Sequence, residues 1–105
     1  MKKGVGGKIT VDGFSFPNEP AYRMYRGLLR LQEIGRVNDL EVNEDVPLLV
    51  NEIEVGTLTI TFRFFDQMIQ QERRIIVASG PHNALRDFKI RCFEAQYGKT
   101  IELWG

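Results

Sequence analysis

Carboxylates, guanidinium groups and one imidazole are the side chains of this chain with chemistry to offer, and their spacing decides which chemistry. Glu41, Glu44, Asp45, Glu52 and Glu54 fall close together, and carboxylate oxygens are the hard ligands that divalent cations take. Scattered around residues of turn type, they read first as a solvated acidic connection. His82 is the single histidine and Cys92 the single cysteine, so a disulfide framework, a Cys/His metal site and a His-activated nucleophile all lack their residues. The run GVGG at 4–7 precedes a strand-like segment, the wrong context for a loop that cradles phosphate. Nine of the 14 basic side chains fall into three groups: Arg23, Arg26 and Arg30; Arg86, Lys89 and Arg91; and Arg63, Arg73 and Arg74. Each group is a candidate contact for phosphate or for an acidic partner surface. Yet the chain has 14 basic and 14 acidic side chains and a formal net charge of zero, which argues against an interface dominated by phosphates.

A chain of 105 residues has the length for one core. With 43% hydrophobic and 27% charged residues, its composition is that of a folded soluble domain. Residues 1–7 are Gly-rich and expected to be flexible, leaving 8–105 as the single domain. No apolar segment of secretory type follows Lys2 and Lys3, and no run approaches the ~18 apolar residues of a membrane span, so the expected location is the cytoplasm. Asp12-Gly13 between Val11 and Phe14 predicts a two-residue hairpin turn. Asn18 as N-cap, Pro20 in the first turn and Gly35 as terminator bound a helix, with Ala21, Met24, Tyr25, Leu28 and Leu31 as its buried stripe and Gly27 as a point of close packing. Val37–Val42 and Pro47–Val50 then read as strands with the acidic connection around them. TLTITFRFF at 57–65 and RRIIVAS at 73–79 read as a long antiparallel pair linked through 66–72. After the Gly80-Pro81 turn, a second helix from about His82-Asn83 to Gln96 is predicted to bury Leu85, Phe88, Cys92 and Ala95. KTIELW closes the chain as a short strand. The predicted fold class is α+β, with a central, mostly antiparallel sheet flanked by two helices.

The segments VDGFSF at 11–16 and GRVNDLEV at 35–42 carry a further signal. Their intervals resemble the opening of a family of small, phage- and prophage-borne nucleases of the PD-(D/E)XK superfamily. That family begins with a Val-Asp-Gly hairpin, a phenylalanine, a serine and a glutamate-led helix, and then Gly-Glu-Ile-x-Asp-Leu-Glu-Leu entering the sheet. LTITFRFFD, RIIVASG and DFKIRCFEAQYG are similar to its next two strands and closing helix. The resemblance implies a restriction-endonuclease-like core and metal-assisted phosphodiester hydrolysis, in which Asp and Glu hold a divalent ion and a Lys stabilises developing charge. In that register the family's helix glutamate falls on Ala21 and the preceding serine on Asn18. Its central-strand aspartate falls on Thr61. Its Glu-Asp-Val-Lys falls on Ile76 to Ser79, so that Ile76 and Val77 replace the acids and Ser79 replaces the lysine. Ala21, Thr61, Val77 and Ser79 are therefore vacated catalytic positions.

Relocated ligands are the alternative. Glu19 stands two residues early, ~200° round a helix from the family position. Asp66 stands on the opposite strand face and ~16 Å along from Thr61. Asp87-Phe88-Lys89 has the Asp-x-Lys pattern on a helix. Each is a poor geometric substitute, so an active metal-dependent endonuclease is the least favoured reading. The expected function is binding without catalysis, with no metal and no cofactor. A host or phage protein in the bacterial cytoplasm is the first partner, regulated or inhibited by this chain, and nucleic acid is the second. Arg23, Arg26, Arg30, Arg63, Arg73, Arg74, Arg86 and Lys89 are the candidate contact residues in either case. The apolar strands 57–65 and 73–79 add self-association as a fourth possibility, since an exposed edge or face of that kind invites pairing with a second copy.

Overall fold

The computed structural model of the protein describes residues 9–78 and 83–104. The flexible segment expected at 1–7, and Ser79, Gly80, Pro81 and His82, lie outside the described residues. The described chain is mixed α+β: β1 (Ile9–Val11), β2 (Phe14–Phe16), α1 (Glu19–Glu33), β3 (Val37–Val50), β4 (Ile53–Asp66), β5 (Gln71–Val77), α2 (Ala84–Tyr97) and β6 (Glu102–Trp104). β1 and β2 form a separate hairpin, and the remaining strands form one sheet in the order β3-β4-β5-β6. β3, β4 and β5 run antiparallel, while β6 joins β5 in parallel after the α2 crossover.

Local chemistry accounts for most boundaries. Asp12 and Gly13 have φ of 55° and 81°, the two left-handed residues that a type I′ turn requires. The Asn18 side chain accepts the N–H of Ala21 and caps α1, and Asn83 does the same for Arg86 at the start of α2. Gly98, with φ 66°, ends α2.

On α1, Ala21, Tyr25 and Leu28 are buried, but Leu31 is exposed. At 3.6 residues per turn Leu31 sits roughly 80° round from Ala21, so it leaves the stripe predicted to contain it. Gly27 is also exposed, with nothing within 4 Å of where a Cβ would stand, so it marks no close packing.

Other expectations fail. β3 is one continuous strand of 14 residues, so Glu41, Glu44 and Asp45 are strand residues and the acidic connection shrinks to the Asn51-Glu52 turn. β3 is a sheet edge, and its carboxylates, Pro47 and a register shift near Asp39 are the devices that keep an edge from pairing. β4 and β5, read as an exposed edge or face for a second copy, are the two interior strands in the order of the sheet, so neither is its edge. On α2 the predicted buried face holds only at Cys92, which is half-buried and packs with Ile90 against the cluster of buried Phe93, whereas Leu85 and Phe88 are 61% and 58% exposed.

Two clusters hold the sheet between the helices. Phe16, Tyr25, Phe62, Phe64, Ile75 and Val77 pack with α1; Leu48, Leu58, Ile60, Ile76 and Phe93 pack with α2. Regular alternation would place Leu58, Ile60, Phe62 and Phe64 on one face. They divide between the clusters, so β4 changes faces around Thr61, opposite Asn43 with its φ of 55°. No described helix is long and apolar enough to cross a membrane.

Candidate functional site

The change of face at Thr61 places its side chain between β4 and the end of β5. The Phe62↔Ile75 pair is the last of the ladder, and beyond it the Thr61 hydroxyl oxygen accepts the Val77 N–H at 3.0 Å, a buried bond that continues the pairing through a side chain. Next to it, Asn18 donates from Nδ2 to the Ala78 carbonyl at 3.2 Å while its Oδ1 caps α1 at Ala21. Asn18, Ala21, Thr61 and Val77 thus converge where the helix start meets the end of β5. Thr61 and Val77 border an open cleft of about 340 Å³ whose lining also includes Ser15, Pro17 and Asn43.

The convergence permits a test of the metal chemistry. A divalent ion takes charged oxygens with free lone pairs. The groups present are a methyl, an isopropyl, an amide already bonded at both ends and one neutral hydroxyl already accepting a backbone proton. These residues do not fit a catalytic cation.

The relocated candidates do not gather either. Glu19 begins α1 and pairs with Arg23. Asp66 ends β4 and binds Arg73. Asp87 lies on α2. Among the described residues no three His, Cys, Asp or Glu side chains come together as a metal group.

Replacing Thr61 with valine keeps the shape and removes the acceptor, leaving the buried Val77 N–H unpaired. The expected loss is ~1–2 kcal/mol, read as a lower urea midpoint at unchanged slope. A loss within error would mean that the hydroxyl does not carry this bond.

The predicted contact arginines separate into two kinds. Arg63 and Arg74 face each other across β4 and β5, a like-charge pairing that needs compensation. Arg63 holds Glu44 through Nε at 2.8 Å and Nη2 at 3.1 Å, and Glu72 through Nη1 at 3.0 Å. Arg74 bonds the other oxygen of Glu72. Arg73 lies over the Phe64 ring at 5.5 Å. It binds Glu102 at 2.7 and 2.6 Å and Asp66 at 3.0 Å. These bonds hold the Arg63 and Arg73 guanidiniums above their usual range. Burial lifts the Glu72 carboxyl, but Arg63 and Arg74 outweigh it and the net direction is down. The three strand arginines are therefore neutralised inside the fold.

The second kind lies on the helices. Arg23, Arg26 and Arg30 line a shallow depression on α1, with Arg23 paired to Glu19 and Arg26 over the Tyr22 ring. Arg86 and Lys89 line an open pocket with Thr57 and Thr59. The threonines were not selected from sequence, although their alternation in TLTIT is the signal that puts Thr57, Thr59 and Thr61 on one side of a strand. Comparison of the chain with protein-family models, curated proteins and solved structures gives no match.

Proposed function

We propose that the protein is a nuclease-like scaffold of phage or prophage type that acts by binding, and that its partner is a protein whose activity it regulates or inhibits. The carrying observation is the Thr61–Val77 hydrogen bond: where the resemblance expects carboxylates around a metal, the chain has a neutral, self-satisfied strand junction. A four-stranded mixed sheet between two helices supports the restriction-endonuclease-like reading of the core. The neutralised strand arginines favour protein over nucleic acid, because phosphate binding draws on uncompensated cations. Exposed Leu85 and Phe88 on α2 add apolar surface of the kind that anchors protein interfaces.

The test is affinity capture of the tagged chain from host cells, with and without nuclease treatment. One stoichiometric protein is expected, retained after nuclease treatment and reduced at least about tenfold by Leu85→Ser with Phe88→Ser, a change of ~1.4 kcal/mol or more at an interface. The double variant should unfold like the wild type, since both side chains are exposed. Mg²⁺- or Mn²⁺-dependent cleavage of a duplex or branched probe would overturn the non-catalytic reading. Recovery of nucleic acid alone would move the partner to DNA. For that alternative, the Arg23, Arg26 and Arg30 depression is the surface to examine, and its affinity should fall steeply with salt.

A further inference from the structure

Arg86 differs from the arginines of the sheet in having no hydrogen-bonded carboxylate. Its side chain is 17% exposed, the nearest carboxylate oxygen, on Asp87, is 3.9 Å from its Nε, and that Nε is buried without a hydrogen-bond partner. Arg63 and Arg73, by contrast, each make three hydrogen bonds to carboxylates. A largely desolvated guanidinium without such a partner is held at a cost that a nearby anion offsets.

The surroundings fit such an anion. Arg86 and Lys89 stand on one side of an open pocket of about 250 Å³, with Thr57 and Thr59 on β4 and Leu58 and Ile76 among its apolar lining. Among the described residues no carboxylate lines it. Lys89 has no ion pair or hydrogen bond among the described residues, and its stem passes 3.8 Å from where a Cβ on Gly56 would lie. The helix start is not the source of the attraction, because Asn83 already accepts the Arg86 N–H. Thr59 donates to Asp45 at 2.6 Å, and Thr57, between Gly56 and Leu58 on a regular stretch of β4, turns its side chain to the other face of the sheet, so the two cations are the groups the pocket offers an anion.

The geometry points to a binding site for a phosphate monoester in this pocket, with Arg86 and Lys89 as its two cations. Two positive charges match the ~−1.5 to −2 of a monoester near neutrality. A planar guanidinium and a mobile ammonium suit tetrahedral oxygens better than a single carboxylate, and the apolar lining leaves room for the group that carries the phosphate. The site does not rest on the nuclease resemblance or on the protein-partner reading. A small phosphorylated molecule and the 5′-phosphate end of a nucleic-acid strand present the same chemistry.

The experiment follows backbone amide shifts of the whole chain at constant ionic strength during titration with inorganic phosphate, and separately with a short oligonucleotide with and without a 5′-phosphate. Saturable shifts centred on 57–59, 76 and 84–89 are expected with phosphate, weakened at least about tenfold in Lys89→Gln and in Arg86→Gln. Lys89→Gln removes no hydrogen bond or ion pair among the described residues, so it keeps the test open if Arg86→Gln fails to fold. Tighter binding of the 5′-phosphorylated strand than of its unphosphorylated twin supports the site and assigns it to strand ends; a response to inorganic phosphate without that preference supports it and assigns it to small molecules. No saturable response to phosphate in the wild type, or an undiminished response in Lys89→Gln, overturns it.

Discussion

Replacing Phe62 with alanine is expected to remove ~3–5 kcal/mol of stability, the range for truncating a fully buried aromatic side chain. Phe62 is 0% exposed. Its ring stacks on Tyr25 at 6.5 Å with 8° between planes and meets Phe16 at 6.2 Å. It therefore joins three elements that share few backbone hydrogen bonds: the β1–β2 hairpin, α1 and the sheet. The cavity would open where β4 changes faces, and a strand fixed by partners on both edges has little freedom to collapse into it. For a domain of ordinary stability this loss is a large fraction of the total, and the midpoint should drop by well over 10 °C. Urea unfolding at unchanged slope checks it, with Leu31→Ala on the outer side of α1 as the control, expected to lose less than ~1 kcal/mol. Similar losses for the two variants would mean that the aromatic cluster does not join hairpin, helix and sheet as described.

What the sequence disclosed here followed from local rules, and what it concealed followed from tertiary competition. Asp12-Gly13, Asn18, Asn83 and Gly98 each demand a particular backbone state, and the turn and helix ends occur where those residues stand. The face of α2 was misread because Leu85, Phe88 and Cys92 form one apolar stripe and Ile90 and Phe93 another. Periodicity alone does not say which stripe meets a sheet: Phe93 and Ile90 do, and of the first stripe only Cys92 packs beside them. β3 was divided because Glu44 and Asp45 look like loop residues, whereas on an edge strand charge is compatible with regular pairing. Asn51-Glu52 turns the chain with two left-handed residues and no glycine, so no turn signal marked it.

The candidate site was legible only in part. Its vacated positions came from a resemblance, and the Thr61–Val77 bond needs the face change that no spacing rule predicts. Arg73 and Arg74 looked like surface groups because nothing in RRIIVASG reveals that Asp66, Glu72 and Glu102 converge on them.

That convergence sets the second large effect. Arg73→Met is expected to lose roughly 2–4 kcal/mol at pH 7, below the upper end for breaking a buried ion pair because water reaches part of the cluster. Arg73 ties β4 to β6 through Asp66 and Glu102, and without it two carboxylates remain near each other with no guanidinium between them. The charge origin of the effect has a pH signature. The Arg73 hydrogen bonds hold Glu102 below its ordinary 4.5. Burial pushes Asp66 up, but its bonds to Arg73 and the turn backbone outweigh that and keep it below its ordinary 3.8. Carboxylates depressed in the folded state bind fewer protons than in the unfolded state, so their contribution is complete above the ordinary values and is lost as pH falls through the folded ones. Wild-type stability should therefore decline below about pH 4.5. In Arg73→Met protonation relieves the repulsion, so the gap between the two proteins should narrow over the same interval. Urea unfolding across a pH series measures both curves. A gap that stays constant down to strong acid would assign the role of Arg73 to its stacking on Phe64, and the ion pairs would then contribute little to holding β6 in the sheet.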